Sequence, residues 1–152
     1  MGAIEITKII EWDMGHRIPN HDSLCRFPHG HRYRLEATVT GKICDRQGDS
    51  SEGMVVDFGL LKQILKVQVH DRLDHKFVYH VEDRVVADWA SAHFPAGSCA
   101  VDFIPTAENL VNWCRILVEP HLTPLGLQIV RLRLFETPNS WADYVAAPAW
   151  GG

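Results

Sequence analysis

The chain has 152 residues and a mass of 17.2 kDa, enough for one compact domain and too little for two ordinary ones. A hydrophobic content of 46% and a charged content of 22% exclude a disordered or fibrous chain, and no apolar run approaches the roughly 20 residues that span a bilayer. The net charge of −4, with Lys and Arg scattered rather than clustered, gives no electrostatic footprint for nucleic acid.

Residues 4–14, rich in Ile and holding Trp12, alternate loosely and predict a first strand. The opening MGAIEITKIIEWD carries acids inside its apolar stretch and lacks a cleavage pattern, so a cytoplasmic location is expected. Residues 31–43 predict a second strand: Tyr33, Leu35, Ala37 and Val39 fall on one face, with Arg32, Arg34, Glu36, Thr38 and Thr40 on the other. The segment Arg17–Gly30 between them, with Pro19, Asn20, Pro28 and Gly30, reads as irregular, and the two strands should pair antiparallel.

After a polar turn over Asp45–Gly53, Asp57 can cap a helix running to Leu73, with Phe58, Leu61, Ile64, Leu65 and Val69 at helical spacing. Residues 76–104 carry weaker signals: a short helix over Glu82–His93, a Pro/Gly loop and an apolar run over Ala100–Ile104. A second clear helix starts at Thr106 as N-cap, with Glu108 in its first turn and Leu110, Val111, Cys114, Leu117 and Val118 on one stripe; Pro120 and Pro124 should end it. Residues 127–136 and 141–147 predict two further strands around Pro138-Asn139-Ser140. This order predicts an α+β domain, two helices on one face of a four-stranded antiparallel sheet, whose open edges favour pairing into an oligomer.

Nine histidines are present, four of them between His16 and His31. His29 and His31, at i and i+2 leading into a strand, can project from one face, and antiparallel pairing brings His16 beside them. Three imidazoles with a fourth position open fit a catalytic zinc site, although Fe, Ni or Cu share the donor preference. His21 competes as a third ligand. His70, His80, His93 and His121 lack partner spacing and read as surface or helix-end residues.

Cys25, four residues before His29, can ionise near a metal and act as base or nucleophile, or serve as a fourth ligand or a small buried apolar residue. Cys44, Cys99 and Cys114 read as packing residues, and all four thiols should be reduced in a cytosolic chain. In Asp74-His75 the carboxylate can hold the imidazole tautomer. Glu136, at the end of a strand bearing Val130, Leu132 and Leu134, can accept two hydrogen bonds from an amidine-like ring edge. Glu108 has a sufficient reason in the helix dipole.

Six blocks in order resemble the 6-pyruvoyltetrahydropterin synthase family: His16, C-R-F-P-H-G-H at 25–31, G-M-V-V-D-F at 53–58, L-D-H-K at 73–76, P-T-A-E-N at 105–109 and E-T-P-N-S-W at 136–141. The resemblance implies the tunnelling fold (ββααββ), homohexamers with active sites between subunits, and zinc on His16, His29 and His31. It further implies Cys25 as the proton-transferring thiol, Asp74 and His75 as its relay from a neighbouring subunit, and Glu136 as the pterin anchor helped by Thr106 and Glu108. The short C-x-x-x-H-G-H spacing resembles the carboxy-forming branch. That branch takes 7,8-dihydroneopterin triphosphate to a 6-carboxytetrahydropterin with loss of acetaldehyde and triphosphate, on the way to 7-deazaguanine and queuosine. Two departures stand out: Ile104 where family members commonly carry Asn, and a longer 76–104 segment, able to reshape the pocket mouth.

Overall fold

Period-two alternation folds into two long paired strands. In the computed structural model, which describes residues 2–147, β1 (Glu5–His16) and β2 (His29–Thr40) run antiparallel in unbroken register, from Glu5 opposite Thr40 to His16 opposite His29. Met1 and residues 148–152 lie outside the described residues. Ile10, Trp12, Met14 and His16 point inward from β1, as do Tyr33, Leu35, Ala37 and Val39 from β2. On the outer face Arg32 meets Asp13 across the ladder at 2.9 Å.

The first helix, α1, starts at Phe58, where the Asp57 carboxylate accepts from the backbone N–H groups of Gly59 (2.6 Å) and Leu60 (3.2 Å). The single helix expected as far as Leu73 is instead Phe58–Leu65, a wider π turn over Lys66–His70 and a last turn, Asp71–Leu73. Leu61, Leu65, Val69 and Leu73 are all buried. Their four-residue steps overrun a 3.6-residue turn, and the π turn absorbs the drift.

The main departure from expectation is the 76–104 segment. It forms β3 (Phe77–His80), α2 (Arg84–His93) and β4 (Ser98–Val101). β3 pairs parallel with the end of β1, and β4 pairs parallel with β3, the intervening helix supplying the crossover that parallel strands require. Alternation along β3 sends Val78 into the main core, whereas Tyr79 joins Val86 and Ala90 of α2 in a separate small cluster with Phe77 and Phe94. A third helix therefore covers the opposite face of β3.

α3 (Ala107–Leu122) is capped by Thr106, whose hydroxyl accepts from the Asn109 N–H at 3.3 Å, and it buries Leu110, Val111, Cys114, Val118 and Leu122. Pro120 does not end it. The proline sits inside the last turn, where Ile116, whose carbonyl loses a donor, is exposed, and a short turn over Thr123–Leu125 with left-handed Gly126 closes the helix. β5 (Gln128–Thr137) and β6 (Ser140–Val145) complete a six-stranded mixed sheet in the order β4-β3-β1-β2-β5-β6, in place of a four-stranded antiparallel one. A bulge at Val130 changes the parity of β5, so Ile129 is buried and shares the inner face with Leu132 and Leu134.

α1 and α3 close the main core over Trp12, Tyr33 and Leu35, with Leu65 fully buried at its centre. Leu65→Ala should lower the unfolding free energy in urea by about 2–5 kcal/mol, against under about 0.5 kcal/mol for exposed Leu24→Ala. Equal midpoints for the two variants would contradict this account of the core.

Candidate metal centre and its cavities

The β1–β2 register sets His16 directly opposite His29, with His31 opposite Met14 one step along the same face. All three positions share the parity of Trp12 and Tyr33, so the imidazoles converge on the inner face above that aromatic pair. Ring centroids lie 4.7 Å (His16–His29), 5.3 Å (His16–His31) and 4.9 Å (His29–His31) apart. One nitrogen from each ring falls within 4.8 Å of the others, and no other such grouping occurs among the described residues. His21 is excluded from it: its Nδ1 accepts from the Ser23 N–H (2.9 Å) out in the irregular segment.

Backbone carbonyls select the tautomers. His16 Nδ1 donates to the Pro105 carbonyl at 2.7 Å, and His29 Nδ1 donates to the Phe27 carbonyl at 2.7 Å, which leaves both Nε2 lone pairs facing inward. His31 Nε2 is buried with no hydrogen-bond partner and lies 3.6 Å from Glu136 Oε1. A buried, unpartnered imidazole nitrogen beside two others in fixed tautomers fits a divalent transition metal. Burial also pushes His16 and His31 below the ordinary imidazole range, which keeps them neutral as metal ligation requires.

Glu136 lies at a second irregularity. The β5–β6 register passes from Phe135 opposite Trp141 to Thr137 opposite Ser140, leaving Glu136 between the pairs. Glu136 keeps the parity of buried Leu132 and Leu134, so strand alternation itself points it inward, toward His31. Glu136 borders a 310 Å³ cavity with Cys25, His21, Thr106, Glu108 and Trp141. It also borders a 410 Å³ cavity with His31, Arg32, Arg34 and Phe135. The sequence-derived set Cys25, Thr106, Glu108 and Glu136 is thus brought together around one cavity, which Glu136 links to His31.

Asp74 and His75 are not. The Asp74 carboxylate holds the His75 ring at 2.9 Å, as expected of the pair, but His75 is 80% exposed and borders a different, 730 Å³ cavity, which His31 also lines, with Lys76, Phe77, Trp89 and Phe94. Its backbone is left-handed (φ 59°), an unusual state for a residue with a Cβ, and its N–H is tied to the Asp13 carbonyl at 2.8 Å. Within one chain, the relay pair and Cys25 face separate spaces. The contributions of the Pro105 and Phe27 carbonyls carry no side-chain signature and could not have been read from the sequence. Tyr33, whose hydroxyl lies 3.4 Å from the His16 ring, was legible only as a core residue.

Residues 5–147 match the 6-pyruvoyl tetrahydropterin synthase family. The 6-carboxy-5,6,7,8-tetrahydropterin synthase of Rickettsia bellii is 36% identical over 141 residues, covering 92% of this chain and 99% of the relative. The Haemophilus influenzae enzyme of the same name is 30% identical over 142 residues, covering 92% and 97%. Among solved structures, an uncharacterized protein from Wolinella succinogenes superposes with a TM-score of 0.77 at 22% identity, covering 97% of this chain and 100% of that one. The 6-pyruvoyl tetrahydropterin synthase of Caenorhabditis elegans gives 0.67 at 18%, covering 97% and 98%. At those identities the likeness is one of fold.

The depressed imidazoles have a measurable consequence. Because folding lowers the pKa of His16 and His31, the unfolded chain binds more protons below its own value of 6.5. Metal-free protein should keep its full stability above that pH and lose it as pH falls from 6.5 toward the lowered folded values. Urea midpoints of metal-free protein across the range from about pH 5 to 8 should show this slope, and His16→Gln should flatten it. An unchanged slope in that variant would contradict the assignment.

Proposed function

The chain belongs to the 6-pyruvoyl tetrahydropterin synthase family, and from that premise we propose that it is a zinc-dependent lyase of the carboxy-forming branch. It converts 7,8-dihydroneopterin triphosphate and water to 6-carboxy-5,6,7,8-tetrahydropterin, acetaldehyde and triphosphate, in 7-deazaguanine and queuosine synthesis. The observation that carries this reading is the three-histidine cluster, with His16 buried and His29 and His31 half-buried, beside a carboxylate-bearing cavity. It occurs in a chain 36% identical to a 6-carboxy-5,6,7,8-tetrahydropterin synthase along nearly its whole length.

His16, His29 and His31 hold the zinc, since three neutral imidazoles suit that metal and leave a fourth position for substrate. Bound there, zinc supplies the Lewis acidity that makes side-chain hydroxyls and the neighbouring C–H easier to deprotonate. Glu136 accepts two hydrogen bonds from the amidine edge of the pterin ring, with Thr106 and Glu108 bordering the same cavity. Cys25, half-buried on that wall, takes and returns the proton at the side-chain carbon.

Asp74 and His75 relay that proton from a neighbouring subunit, because their own chain turns them toward a different cavity. This reading requires assembly. The sheet ends in edge strands β4 and β6, and closure of such edges into a homohexamer with interface active sites removes unpaired backbone groups from solvent. Residues 1–152 act as one domain, in the cytoplasm, where the four cysteines remain thiols. No described helix is long and apolar enough to cross a membrane.

Incubation of zinc-loaded protein with 7,8-dihydroneopterin triphosphate should yield 6-carboxytetrahydropterin and acetaldehyde by mass spectrometry. A pyruvoyl product, or none with zinc bound, would overturn the assigned reaction. Cys25→Ala should retain zinc and lose turnover by about a hundredfold or more, as expected for removal of a proton-transfer group. Full activity in that variant would remove Cys25 from the mechanism.

A further inference from the structure

Asp83 stands immediately before α2, the position from which an aspartate ordinarily accepts bonds from the first helical N–H groups, yet its carboxylate caps none of them. It is instead buried, only 8% exposed, and engaged by a residue far away in sequence. Arg17 Nε donates to Asp83 Oδ2 at 2.5 Å and Arg17 Nη2 donates to Oδ1 at 3.1 Å, a two-pronged ion pair. The third arm of the same guanidinium, Nη1, points to the Arg26 carbonyl at 3.4 Å.

Arg17 and Arg26 bracket Cys25. The next residue after Arg17, Ile18, donates its N–H to the Cys25 carbonyl at 2.8 Å, so the irregular segment folds back with Cys25 on its returning limb. Cys25 itself lies in a single short turn, Leu24–Arg26, that buries no side chain of its own and has no side-chain cap. Few apolar contacts fix this turn, and segments of that kind open at low free energy unless tied down.

We propose that Asp83 is a positioning residue for Cys25: through the Arg17 guanidinium it clamps the Ile18–Arg26 loop and so fixes the thiol relative to the three histidines. The inference rests on the proposed role of Cys25 and gives the 76–104 segment a task within that reading. Arg17 directly follows the ligand His16, so the clamp is anchored at the end of β1, where His16 pairs with His29. The buried carboxylate keeps the guanidinium in one orientation, and the guanidinium in turn holds the loop carbonyl. Without the carboxylate, Arg17 loses its fixed direction and the loop its outer tie.

The test uses full-length, metal-loaded protein. Asp83→Asn preserves shape and removes the charge, and Arg17→Lys preserves charge but cannot fork to Asp83 while reaching Arg26. Each should lower kcat by about tenfold to a hundredfold with KM and metal content unchanged, since a displacement near 1 Å has that effect on proton transfer. Each should also make iodoacetamide alkylation of Cys25, read on the Ile18–Arg26 tryptic peptide, roughly tenfold faster, because a charge-assisted bond no longer opposes loop opening. Asp83→Glu should recover part of both effects. Cys114 serves as the internal reference: it is fully buried and its thiol is pushed up to about 12, so it stays unlabelled while the core is intact.

An unchanged Cys25 alkylation rate in both variants would overturn the clamp, as would labelling of Cys114 in step with Cys25, which would signify general loosening. The two levels remain separable. Should Cys25→Ala keep its turnover, the proton-transfer role falls, while the alkylation rate still reads the clamp.

Discussion

The site rests on the register between β1 and β2. In an antiparallel ladder the side-chain period is two, so a slip of one residue would turn His16, Trp12 and Met14 outward and bring Asp13 and Glu11 into the core. Trp12 and Tyr33, directly opposite and stacked at 5.9 Å with an interplanar angle of 12°, oppose any such slip through the apolar area they bury. On the same face, His31 sits two residues beyond Tyr33, and the opposed pair His16–His29 four residues beyond Trp12 and Tyr33. The physical force that orders the core therefore also converges the imidazoles, with no separate scaffold.

An imidazole can bind a metal only through a nitrogen that carries a free lone pair. The molecule meets that requirement with backbone carbonyls taken from two other parts of the chain, Pro105 ahead of α3 and Phe27 in the irregular loop. A carbonyl can only accept, so each fixes Nδ1 as the donor and frees Nε2. This couples the centre to the start of α3 and to the loop that carries Cys25. Glu136, on the inward parity of Leu132 and Leu134, adds a carboxylate whose charge opposes the effect of burial on His16 and His31.

Much of this was legible beforehand for a physical reason. β1, β2, α3 and the whole Phe58–Leu73 stretch each carry a sustained apolar period over ten or more residues, and long periods specify both element type and buried face. The 76–104 segment was harder because β3 and β4 are four residues each and α2 has a mixed surface, with Val85 and Trp89 exposed. Such short strands gain their structure from pairing, β3 with β1 and β4 with β3, which no local pattern announces. The bulges at Val130 and Glu136 were equally silent, since one extra residue leaves no compositional mark.

The sequence alone determined the three-histidine cluster able to hold a metal ion, the thiol between them and the helices that close the core, because each depends on residue type at short, regular spacing. Tertiary structure decided the rest. It chose His29 rather than His31 as the partner opposite His16, excluded His21, and set the tautomers. It also turned Asp74-His75 away from Cys25 within the chain and joined Asp83 to Arg17 across 66 residues. Those outcomes hang on register, bulges and backbone carbonyls, which are properties of the paired chain in space and are carried by no residue's identity.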